Sequence, residues 1–162
     1  VSAISLIAEI AAWAKDKGMD MNEMLIDIYM TYGYSKEKGV SLVRPGKTGA
    51  DEIVAIMKSL RSNPPKELAG SPIVTIKDFS SLEEKDVKTG TVTKLVMPVT
   101  SNVLQYFTAD GTKVSVRPSG TEPKIKFYIE VHDTLASAAE YDATNERAEQ
   151  KIAQVAKDLG ID

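Results

Sequence analysis

The sequence predicts an α+β fold, in which an antiparallel sheet of four strands, or five, carries helices on one face. Two helices that read as the tail of another domain precede it. Three observations carry this expectation. The apolar period changes from helical to alternating near residue 72. Ala109-Asp110-Gly111-Thr112 separates two apolar runs, and Asp-Gly in that setting marks a β-hairpin. Among the first fourteen residues only Ser2, Ser5 and Glu9 are polar, at i, i+3 and i+7, so this helix is apolar nearly all round and needs a covering surface.

In chain order, residues 1–17 form the first helix, with Gly18 as its stop. Asp20 stands three residues before Glu23 and begins a second helix with Met21, Met24, Leu25, Ile28 and Tyr32 at helical spacing, ended by Gly33. Residues 34–48 are polar and broken by Gly39, Pro45 and Gly46, and are expected to be a linker or hinge. Thr48 caps a third helix with Ile53, Ile56, Met57 and Leu60 as its buried stripe, and Asn63-Pro64-Pro65 stops it. Strands are expected around Ile73–Ile76, Thr91–Val96, Val103–Thr108, Lys113–Arg117 and Lys124–Val131. On the last of these Ile125, Phe127, Ile129 and Val131 share one face, and Lys124, Lys126, Tyr128 and Glu130 the other. A final helix buries Ala148, Ile152, Val155 and Leu159.

Composition excludes several functions. Twenty basic residues against twenty-three acidic ones disfavour a nucleic-acid binder working through a basic face. The absence of cysteine removes disulfide scaffolds and thiolate metal sites, and one histidine, His132, leaves little for a histidine-built metal centre or a catalytic triad. No apolar run is long enough to span a membrane, and no basic segment precedes the apolar start as it would in a signal peptide. A cytoplasmic protein is expected.

One segment carries chemistry. Arg117-Pro118-Ser119-Gly120-Thr121-Glu122-Pro123 lies between two strands. The Arg117 guanidinium is a planar fork suited to two phosphate oxygens. Ser119 and Thr121 offer hydroxyls, Gly120 lets the backbone turn so that successive N–H groups face one anion, and Lys124 and Lys126 emerge on one strand face just beyond. The residues alone leave two readings open: an oxyanion site, or a tight turn with a solvated arginine.

The string RPSGTEPKIKFY resembles the phosphate-binding loop of the α-D-phosphohexomutase family, the phosphoglucomutases and phosphomannomutases, and its wording is nearest the phosphoglucomutase/phosphopentomutase branch. The resemblance implies that residues 46–162 are the family's C-terminal phosphate-binding domain, with a TATA-box-binding-protein-like fold. It implies that residues 1–45 are the last helices of a truncated third domain, an α/β domain, plus a hinge. It also implies that Arg117, Ser119, Gly120 and Thr121, with Lys126 and less directly Lys124, hold the substrate phosphate that is not transferred, while Glu122 and Pro123 shape the turn. The family reaction moves a phosphoryl group between the 1- and 6-positions of a hexose phosphate, or 1- and 5- of a pentose phosphate, through a phosphoserine and Mg²⁺.

The family's Thr-Ala-Ser-His-Asn-like nucleophile loop, its Asp-Gly-Asp-Gly-Asp metal loop and its Gly-Glu-x-Ser-Gly sugar loop do not occur in this sequence. The expectation is therefore a fragment that is inactive alone, holds no metal or catalytic residue itself, and depends on the N-terminal domains of the same protein, with self-association through residues 1–33 as a further possibility. The alternative is a stand-alone phosphate or phosphosugar-binding module without catalysis. The loop does not specify which sugar is bound. His132 reads as a surface or capping residue. Trp13 and the methionines around it read as packing against absent strands rather than a partner surface. Glu83-Glu84-Lys85-Asp86 reads as a solvated loop. Arg44 and Lys47 are secondary anion candidates.

Overall fold

A computed structural model describes residues 2–162, apart from the side chain of Lys47. The elements are α1 (Ser2–Asp16), α2 (Met21–Tyr32), β1 (Tyr34–Val43), α3 (Gly46–Ser62), β2 (Glu67–Leu68), β3 (Ser71–Asp78), β4 (Glu83–Asp86), β5 (Val92–Lys94), β6 (Leu104–Thr108), β7 (Lys113–Pro118), β8 (Lys124–Asp133), a 3-10 turn at Ala138–Glu140, and α4 (Tyr141–Asp158). The sheet runs β1-β8-β7-β6-β3-β4-β5, with β2 paired to β3 off that path. From β2 to β8 the pairs are antiparallel. The fold is α+β as expected, with eight strands instead of four or five. The described residues form two compact units. One holds the chain through Ser35 with Asp133–Arg147; the other holds Lys36–His132 with Ala148–Asp162.

The second unit contains the core. Alternation along β8 buries Ile125, Phe127, Ile129 and Val131 to 1% exposure or less. Facing residues Leu104, Tyr106, Val114 and Val116 are equally buried. Each such side chain contributes roughly 1.5–3 kcal/mol on leaving water. On α3, Ile53 and Met57 are buried and Ile56 and Leu60 partly so; on α4, Ala148, Ile152 and Val155 are buried, and Leu159 just beyond it is partly so. The Tyr106 hydroxyl, deep in the sheet, donates to the Leu60 carbonyl at 2.9 Å. That carbonyl belongs to the last turn of α3, where no intrahelical donor remains. Burial pushes the Tyr106 phenol pKa up.

Three expectations are corrected. Residues 34–43 are a strand, not a linker; Val40 and Leu42 alternate with exposed neighbours, and the polar composition hid an edge strand whose ladder needs only backbone groups. Glu83–Asp86 is a strand as well, paired to β3 and tied by Lys77 Nζ to Glu84 at 3.1 Å, instead of a solvated loop. Thr48 does not cap α3: the helix starts at Gly46 after Pro45, which makes no side-chain cap bond. A feature with no sequence signal is Gly49, where a Cβ would stand 1.8 Å from the Arg44 carbonyl oxygen, so only glycine fits between the start of α3 and the end of β1.

The Asp110-Gly111 hairpin forms as expected, with Gly111 at φ 85°. Asp110 Oδ1 accepts from the Thr108 hydroxyl (2.6 Å) and from the Thr112 amide (3.2 Å) and hydroxyl (2.9 Å). Lys151 on α4 reaches Asp110 Oδ2 at 2.8 Å. Partial burial opposes ionisation of Asp110, but the hydrogen bonds from Lys151, Thr108 and Thr112 outweigh it and hold the carboxyl well below its usual range.

The first unit is organised around aromatic rings. Tyr29 lies 4.8 Å from Tyr34 and 6.5 Å from Tyr141, centroid to centroid. The Tyr34 hydroxyl donates to Asn145 Oδ1 at 2.9 Å, and Arg147 pairs with Asp133 at 3.1 Å. The capping box of α2 is complete: Asp20 Oδ1 accepts from the Glu23 amide, and Glu23 Oε2 from the Asp20 amide. On α1 only Ala14 is buried. Ile4, Leu6, Ile7 and Trp13 are each more than half exposed, so the apolar surface read as core packing is uncovered.

Two stability outcomes follow. Tyr106→Phe leaves the Leu60 carbonyl buried without its donor and should cost on the order of 1 kcal/mol in urea unfolding, with the fold intact by circular dichroism. Asp110 has a depressed folded-state pKa, so its contribution is present above the unfolded value near 3.8 and is lost as pH falls below it. Asp110→Asn should therefore start with a lower melting temperature at about pH 6 and lose less than the wild type between about pH 5 and pH 2. Parallel acid limbs would refute this account of the hairpin.

Candidate functional site

The loop between β7 and β8 is built by the register of those strands. Val114 faces Ile129, Val116 faces Phe127, Arg117 faces Lys126, and Pro118 faces Ile125 as the last pair. The buried partners fix the pairing, and the pairing places the loop at the end of the sheet. The Ser119 amide donates to the Lys124 carbonyl at 2.8 Å, and the Lys124 amide to the Glu122 carbonyl at 2.7 Å, closing a tight turn. Ser119 Oγ accepts long bonds from the amides of Thr121 (3.4 Å) and Glu122 (3.3 Å). The Arg44 amide donates to the Pro123 carbonyl at 2.9 Å and so ties the loop to the end of β1.

A cavity of about 380 Å3 opens on this loop, lined by Pro118 to Glu122 and the side chains of Arg117, Lys124, Lys126 and Tyr128. All six sequence-predicted residues, Arg117, Ser119, Gly120, Thr121, Lys124 and Lys126, line it together. Three cations face one carboxylate there. Lys124 pairs with Glu122. Among the described residues neither Arg117 nor Lys126 has an ion-pair partner, although they stand directly opposite each other in the ladder. Like charges placed so destabilise a sheet, and the Glu122 carboxylate, paired with Lys124, offsets them only in part.

Two details differ from expectation. Gly120 does not adopt positive φ, and a Cβ there would meet nothing within 4 Å, so glycine at 120 is required neither by the turn nor by protein packing; its bareness keeps the cavity open. Glu122 does more than shape the turn: it lines the same cavity and pairs there with Lys124. Tyr128 was missed as a lining residue, although its place two residues after Lys126 put it on the same face.

A second cavity, of about 560 Å3, undercuts the loop between Pro118–Pro123 and Ala50, Ile53, Val54 and Met57 of α3. The Arg44 side chain pairs with Glu52 at 3.1 Å and does not line the anion cavity; the Lys47 side chain lies outside the described residues. His132 Nε2 meets Glu130 at 3.1 Å on the surface. Among the described residues no three acidic or histidine side chains are grouped to hold a metal ion, and no helix is long and apolar enough to cross a membrane.

Residues 77–148 match the family model described as phosphoglucomutase/phosphomannomutase, C-terminal domain. A phosphoglucomutase of Staphylococcus aureus is 35% identical over 129 residues, covering 80% of this chain and 23% of the relative. One from Staphylococcus haemolyticus is 30% identical over 132 residues, covering 82% and 24%. The chain thus spans about a quarter of the length of these relatives. The solved phosphoglucomutase parafusin from Paramecium, in its open form, aligns over 93% of this chain and 26% of its own at 16% identity and a TM-score of 0.42, too slight a likeness to carry an argument. The matched residues contain the whole Arg117–Pro123 loop and both strands that hold it, and through them the chain belongs to the phosphoglucomutase/phosphomannomutase family.

Proposed function

We propose that this chain supplies the substrate-phosphate grip of an intramolecular phosphotransferase. That enzyme moves a phosphoryl group between the 1- and 6-positions of a hexose phosphate, or the 1- and 5-positions of a pentose phosphate, through a phosphoserine. The observation that carries the reading is the unpaired Arg117–Lys126 juxtaposition at the mouth of a cavity that also offers Ser119, Thr121 and Lys124. A phosphate monoester dianion satisfies it: the guanidinium takes two oxygens, the ammonium neutralises charge, and the hydroxyls donate to the rest. Among the described residues the cavity holds no histidine, and Ser119 Oγ accepts from two amides rather than donating to a base, which supports binding and orientation rather than transfer. Holding the far phosphate fixes the distance and angle of the reacting end, where positioning and charge neutralisation dominate phosphoryl transfer. The nucleophile and Mg²⁺ belong to parts of the enzyme that this chain does not span, and the chain alone is inactive as a mutase.

Titration of the chain with glucose 6-phosphate, followed by backbone amide NMR, tests the site. Arg117→Ala should weaken binding at least tenfold, about 1.4 kcal/mol, because charge-assisted bonds of this kind are worth roughly 1.5–3 kcal/mol. Arg117→Lys keeps the charge without the fork and should fall between. Ser119→Ala should cost less, about 0.5–1.5 kcal/mol. Unchanged affinity in Arg117→Ala would reduce the loop to a turn.

The exposed apolar face of α1 supports a partner reading: another protein surface covers it, either the rest of the same enzyme or, when the chain is alone, a second copy. Sedimentation should show concentration-dependent dimers that dissociate in the double variant Ile4→Glu/Ile7→Glu. A monomer at every concentration would exclude the second copy.

A further inference from the structure

Part of the cavity's donor set is engaged from within. The Lys124 ammonium is held by the Glu122 carboxylate, and the amides of Thr121 and Glu122 point at Ser119 Oγ. Three of the donors that a bound anion would use are thus engaged by oxygens of the loop itself. We propose that Glu122 is a built-in competitor for the phosphate, holding Lys124 through their ion pair and releasing it when the dianion enters. The inference rests on the phosphate reading above.

The geometry suits an exchange. Only Pro123 separates the two residues, and the Lys124 amide bonded to the Glu122 carbonyl folds the chain back between them. Accessibility is unequal: the Lys124 side chain is 25% exposed and that of Glu122 59%. The ammonium is therefore seated, while the carboxylate stands at the rim and has water to swing into. Hydrogen bonding and charge from Lys124, helped by the charge of Lys126, outweigh slight desolvation and keep Glu122 below the usual carboxylate range, so it is ionised at neutral pH. An exposed pair of this kind is weak. A dianion that also takes Arg117 and Lys126, both without ionic partners among the described residues, displaces it. A singly charged ligand exchanges one negative charge for another at Lys124 and gains little. Glu122 then sets the site's preference for dianions and limits how tightly it holds them.

Inorganic phosphate is the probe, titrated into the 162-residue chain at about pH 7.5 and followed by amide NMR, which also reports that each variant is folded. Glu122→Gln, nearly isosteric, should bind phosphate about three- to tenfold more tightly than the wild type. In a Lys124→Met background the same change should gain clearly less, because the lysine to be released is gone. A residue that merely braces the turn gives the opposite result, with Gln neutral or weakening. If the wild type binds phosphate and Glu122→Gln does not bind it more tightly, the competition is overturned and the phosphate reading stands. If neither chain binds phosphate at tens of millimolar, both fall together.

Discussion

Everything that positions the cavity at the β7–β8 loop depends on the pairing of those two strands. Val114 and Val116 lie opposite Ile129 and Phe127, all without access to water, and that burial admits one register. A slip by one residue would turn four large apolar side chains outward and bring Lys126 into the core, a cost far above the stability of any turn. Because the register is fixed from inside, the outer face can carry an unfavourable arrangement. Arg117 and Lys126 stand opposite each other there, neither in an ion pair among the described residues, and the core bears the electrostatic cost.

The interior also holds the helices to the sheet through polar groups. Tyr106 carries a hydroxyl into the core where phenylalanine would pack as well, and uses it to complete the last turn of α3. Lys151 of α4 reaches the hairpin turn at Asp110. Hydrophobic burial supplies most of the stability, while these bonds specify where each helix ends or rests.

The strands with strict alternation, above all Lys124–Asp133, were legible because one face is buried and one is wet. The hairpin was legible because Asp-Gly answers a local backbone demand. That the six candidate residues would share one cavity was legible because most of them are contiguous. What escaped has no local signature. The strand at Tyr34–Val43 is mostly polar and lies at the sheet edge, and Glu83–Asp86 is a strand of charged residues held by its ladder. Gly49 is required by a carbonyl five residues earlier in the chain. The pairing of Glu122 with Lys124 depends on how the turn folds, which the order of residues does not state.

The anion loop resembles a footbridge. Its two ends rest on the last ladder pairs of β7 and β8, and a single strut, the Arg44 amide, supports it at Pro123. Beneath the span lies the apolar hollow over Ala50, Ile53, Val54 and Met57. That hollow leaves room for the span to move toward α3 while the ladder pairs at its two ends stay in register.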